Sequence, residues 1–163
     1  MEKSVETQIR ALFAKLSIPP LEVIIPILQK TGRGEKELTA QVYDTYVNLA
    51  KRMREILGYS DNSMKTLAKV WEMAVSFEGG RFVPHELTES RFSFSMSDCP
   101  MLHVGKDISF EVKSKFCDLI CTAGSRGLMD TVLAPSSGRC TWNKALIKGE
   151  GKCTVVFEVL GAP

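Results

Sequence analysis

The side chains able to do chemistry gather in one window. Three of the five cysteines and one of the two histidines lie between Asp98 and Cys121, and Cys153 answers them near the end of the chain. Cys99 stands in a polar turn, beside Asp98 and four residues before His103. An imidazole that activates a thiol is the usual design for a cysteine nucleophile, so Cys99, His103 and Asp98 are the candidate catalytic set. The adjacent Asp98 carboxylate works against a thiolate, because a like charge raises a thiol pKa. A metal is the other use of these thiols. Cys117 and Cys121 are four residues apart and share a helix face. Cys99 follows a strand and Cys153 begins one. Sulfurs of Cys99, Cys121 and Cys153, from a turn, a helix and a strand, could converge on zinc, another divalent metal or an iron–sulfur cluster. The paired C-x-x-C spacing of a strong zinc signal is absent. Cys117 and Cys140 read as small buried apolar residues. His85 reads as incidental.

Other chemistries lose support. The chain has no G-x-S-x-G, no G-x-x-x-x-G-K, no H-E-x-x-H and no G-x-G-x-x-G. Lys plus Arg is 21 and Asp plus Glu is 19, for a formal charge of +2, and the signs are interleaved. Neither nucleic acid nor an anionic membrane is an expected partner. The longest apolar run, Leu21 to Leu28, is broken by Glu22 and Pro26, and Met1–Glu6 has no apolar leader core. A soluble, cytoplasmic protein with reduced thiols is expected.

The elements that must position these residues are read from periodicity. One 163-residue domain is expected, with a helical layer over 1–79 and a strand, helix and hairpin over 80–163. Val5, Ile9, Leu12, Phe13 and Leu16 predict a helix over 3–16, and 21–29 a shorter one. Leu38, Val42, Tyr46, Leu49, Met53 and Ile56 form the clearest stripe, a helix from Glu35 to Leu57 stopped at Gly58. A capped helix with Leu67, Val70, Trp71, Ala74 and Phe77 follows. Apolar surface on the 35–57 helix beyond its narrow stripe, at Tyr43, Val47 and Ile56, predicts either a homodimer or cover by a second helix of the same chain. After Gly80 the period becomes two, with Phe92, Phe94 and Met96 on one face of a half-buried strand. Ser114 could cap a helix to about Val132, in which Gly124 and Gly127 weaken the helix or admit a close neighbour. Residues 139–147 and 152–160 predict a hairpin across Gly149-Glu150-Gly151. The fold class is α+β: an N-terminal helical layer packed on an antiparallel β-sheet.

The C-terminal half, over roughly residues 64–160, resembles the L-2-amino-thiazoline-4-carboxylic acid hydrolase family. The resemblance rests on Cys99-Pro100, Cys117-Asp118 with Cys121, Leu133-Ala134-Pro135 and Gly149-Glu150-Gly151-Lys152-Cys153. That family is related to vinyl-4-reductase-like small-molecule-binding domains, which share an α+β fold and often hold zinc through cysteines. At two of their ligand positions this chain has Trp142 and Ala145. The resemblance implies hydrolysis of a small cyclic amidine or related C–N bond, with Cys99 and its neighbours at the site. The alternative is a non-catalytic pocket for a small apolar ligand, a sensor or carrier, which needs only an apolar cavity between helices and sheet.

Overall fold

A computed structural model describes residues 35–77, 81–99, 109–143 and 145–161, together with Thr7. Apart from Thr7, the helices expected over 3–16 and 21–29 lie outside these residues, as does His103. In chain order the elements are α1 (Glu35–Leu57), α2 (Met64–Phe77), β1 (Phe82–Leu87), β2 (Arg91–Met96), α3 (Phe110–Val132), β3 (Gly138–Trp142), a 3-10 turn (Leu146–Lys148) and β4 (Cys153–Val159). The strands form one antiparallel sheet in the order β1-β2-β4-β3. Helices packed on an antiparallel sheet make this an α+β fold.

The helix boundaries follow from local chemistry. Gly58 adopts φ 71°, a left-handed conformation that glycine takes without a Cβ penalty, and ends α1. The Tyr59 N–H then closes onto the Arg54 carbonyl at 3.0 Å. At the start of α2, the Ser63 hydroxyl accepts the Thr66 N–H at 3.1 Å. Between them, Arg54 donates to the carbonyls of Ser60 and Asp61 at 3.0 and 3.1 Å and to Asn62 Oδ1 at 2.9 Å, which pins the loop.

The core lies between the helices and one face of the sheet. Phe92 stands opposite Phe157 in the β2–β4 register, Phe94 opposite Val155 and Met96 opposite Cys153. Phe92, Phe94 and Phe157 are buried; each is worth roughly 1.5–3 kcal/mol over exposure. Trp71 of α2 closes this face, its ring 6.1 Å from Phe94 and 5.6 Å from Phe157.

Four features differ from the sequence reading. β1 was not expected. It is an edge strand whose side chains from Val83 to Leu87 are exposed, so no alternation marks it, and it carries Pro84 beside a register shift. β2 is buried on both faces, Ser93 and Ser95 included, rather than half-buried. α3 begins at Phe110, capped by Ser109 instead of Ser114. The hairpin strands are shorter than expected, and a 3-10 turn occupies Leu146–Lys148 between them.

α3 also settles the role of its glycines. A Cβ on Gly127 would stand 2.6 Å from the Tyr43 carbonyl oxygen and 3.2 Å from the Val47 nitrogen. The two helices therefore touch backbone to backbone there. Tyr43 and Val47, the apolar surplus that motivated a homodimer, lie against α3 of the same chain.

Candidate functional site

The thiols are carried by the segment after β2, by α3, and by β3 and β4. β2 ends at Met96 opposite Cys153, and Cys99 lies three residues further on, half-buried and packed on the core. Asp98 beside it is also half-buried. From α3, the Cys117 and Cys121 sulfurs stand 3.6 Å apart. Cys117 is buried and Cys121 half-buried. Cys153 is buried at the head of β4, where its sulfur accepts the Leu146 N–H at 3.4 Å. Burial pushes the Cys153 thiol pKa up, the Leu146 N–H opposes this, and negative charge on nearby Cys117 would add to the rise. Cys140 faces α3 from β3. Burial pushes its thiol to about 12, against the opposing Ser125 hydroxyl and Trp142 indole.

The structure thus pairs Cys117 with Cys121 and places Cys117 near enough to Cys153 to act on it electrostatically. Among the described residues no group of three or more His, Cys, Asp or Glu is placed to hold a metal ion. Cys121 turns to Cys117, while Cys153 receives a backbone N–H. Cys117, read from the sequence as plain packing, is the residue that was undervalued. Its spacing of four from Cys121 was the available signal.

Reactivity follows exposure together with the share of thiolate. A thiol at about 12 instead of 9.0 carries roughly 1,000-fold less thiolate at any pH well below both. Brief alkylation of the native protein at about pH 8 is expected to reach Cys99 and Cys121 first. Cys153, which is buried, should react only after denaturant is added, and Cys140, half-buried like Cys99 and Cys121, should lag them because less of it is thiolate. Peptide mass spectrometry reads the order; Cys140 labelling at the Cys99 rate would show that β3 is not packed as described.

A second feature lies between the two long helices. A groove of about 860 Å³ is bordered by Lys36, Tyr43 and Asp44 of α1 and by Lys115, Asp118 and Arg126 of α3. Asp130 organises one wall, accepting from the Tyr43 hydroxyl at 3.1 Å and from Arg126 Nε at 3.0 Å. Burial and then the Asp130 carboxylate raise the Tyr43 hydroxyl pKa. The groove is broad, open and charged with both signs. It is not enclosed as a pocket that buries a small ligand is.

No family model matches this chain, and no curated protein does either. Its fold is shared with a trafficking subunit. The solved structure is trafficking protein particle complex subunit 3 from Naegleria fowleri, covalently bound to palmitic acid. The TM-score is 0.57 at 14% identity, and the match covers 94% of this chain and 96% of that one. This comparison corrects the expected function. The fold that was read as a C–N hydrolase with Cys99, His103 and Asp98 at its centre, or else as a small-molecule sensor, is matched end to end by a subunit of a trafficking complex. Among the described residues no helix is long and apolar enough to cross a membrane.

Proposed function

We propose that this chain is a non-catalytic subunit of a multi-polypeptide trafficking assembly, working in the cytoplasm through its protein contacts. The observation that carries the reading is the reach of the structural likeness: nearly all of both chains superpose, not a shared motif. The surface agrees with it. β1 pairs only with β2 among the described residues and exposes Val83 at 44% and Leu87 at 50%. Unpaired strand edges invite strand addition by a partner. Leu160, 49% exposed, follows β4 and adds apolar surface near the sheet.

Native mass spectrometry of the chain, isolated from its own cells under gentle conditions, tests the proposal. A stoichiometric assembly with other polypeptides is expected, and the double change Val83→Lys with Leu87→Lys should release the chain without altering its circular dichroism. A lone 18.1 kDa species at endogenous concentration would overturn it.

A further inference from the structure

We propose that Cys117 and Cys121 form a two-sulfur site for one soft monovalent metal ion of the copper class. The sulfurs are 3.6 Å apart on consecutive turns of α3. Two thiols this close have two chemical uses, a disulfide or a shared bridging atom, and the helix decides between them. Residues four apart on a helix hold their Cβ atoms about 5–6 Å from each other. A disulfide demands about 3.5–4.5 Å, so closing one would distort α3. A bridging ion asks for no such approach. Two thiolates hold a two-coordinate ion in line between them, so bonds of about 2.3 Å each place the sulfurs roughly 4.6 Å apart. From 3.6 Å the sulfurs must open by about 1 Å, which turning the two side chains about their Cα–Cβ bonds supplies, since the Cβ atoms are already about 5–6 Å apart.

The identity of the ion follows from ligand number and softness. Structural zinc takes four protein ligands, and no third His, Cys, Asp or Glu completes a group among the described residues. Monovalent copper is satisfied by two thiolates, and thiolate is the ligand type that selects it. Binding releases both thiol protons and leaves a complex of charge −1 in place of two neutral thiols and a cation. Lys113, one turn before Cys117 on α3, supplies the positive charge closest in sequence on that face. The buried Cys117 keeps one bond shielded from water, and the half-buried Cys121 gives the ion its way in.

The test is an anaerobic titration of the reduced full chain with monovalent copper, delivered from a colorimetric chelator. One ion per chain, thiolate-to-copper absorption in the near ultraviolet and two protons released per ion are expected. Cys121→Ser should weaken binding at least tenfold, and Cys117→Ser likewise, while Cys140→Ser binds as the unaltered chain does. Thermal melts establish that each variant is folded. Because Cys117 is buried, Cys121→Ser is decisive on its own if Cys117→Ser does not fold. The proposal fails if the chain takes no ion, if Cys121→Ser binds normally, or if zinc binds as tightly as copper, which would require further ligands.

Discussion

Replacing Trp71 with alanine is expected to lower stability by about 3–5 kcal/mol, the range for emptying a buried large aromatic site. Trp71 is 5% exposed and sits where α2 meets the sheet. Four rings surround it: Tyr46 at 6.5 Å, Phe94 at 6.1 Å, Trp142 at 5.9 Å and Phe157 at 5.6 Å. They come from α1, β2, β3 and β4, so no single element can move inward to fill the space. The T-shaped pairs with Trp142 and Phe157 add edge-to-face attraction beyond burial. Trp71→Phe should be far milder. It keeps a ring in the site, and it deletes an indole N–H that finds no acceptor among the described residues, so no partner is stranded. Urea denaturation measures both, as a shift in midpoint at constant slope. A loss under about 1 kcal/mol for Trp71→Ala would mean that α2 does not close the core.

The helices were legible because each has to bury a stripe. Leu38, Val42, Tyr46, Leu49 and Met53 are all buried, and the step of three or four that selects them is a property of the helix itself. β2 was legible by its alternation, although Ser93 and Ser95 are buried too: polarity in a sequence marks a face only where the other side is left to water. β1 was hidden for the opposite reason. An edge strand exposed from Val83 to Leu87 and containing a proline has no buried alternation there to show. The hairpin was read too long because Asn143 to Lys152 carries enough apolar residues to suggest strand, and Ala145, Leu146 and Ile147 are buried by a 3-10 turn instead.

The site was legible only as a collection of residue types. Sequence spacing placed Cys117 and Cys121 on one helix face, and the structure brings their sulfurs together. Spacing could not say that Cys153 would turn to a backbone N–H, since that depends on the 3-10 turn beside it. Motifs of four or five residues around cysteines suggested a hydrolase. They record local geometry, and one fold can carry unrelated functions on such geometry. The α1–α3 groove had no sequence signal, because its walls are outward-facing charged residues that any solvated helix would show.

Gly127→Val is expected to destabilise the protein by about 3 kcal/mol, the upper end of overpacking costs. On propensity alone, replacing a helical glycine should help, by roughly 0.8–1.0 kcal/mol for alanine. The packing reverses that sign. The new Cβ would lie 2.6 Å from the Tyr43 carbonyl oxygen, and backbone cannot rotate out of the way as a side chain can. α1 and α3 would have to separate, loosening Tyr43 from Asp130 and Tyr46 from the aromatic cluster behind it. Gly127→Ala should therefore destabilise as well, by less. For Gly124→Ala the nearest atoms all belong to the Tyr46 ring, at 3.0–3.1 Å, and a slight tilt of that ring relieves them, so the helix gain should largely offset the strain. In urea, Gly127→Val should be the most destabilised of the three variants, Gly127→Ala intermediate and Gly124→Ala the least. A Gly127→Ala protein more stable than the parent would show that the two helix backbones do not meet at this point.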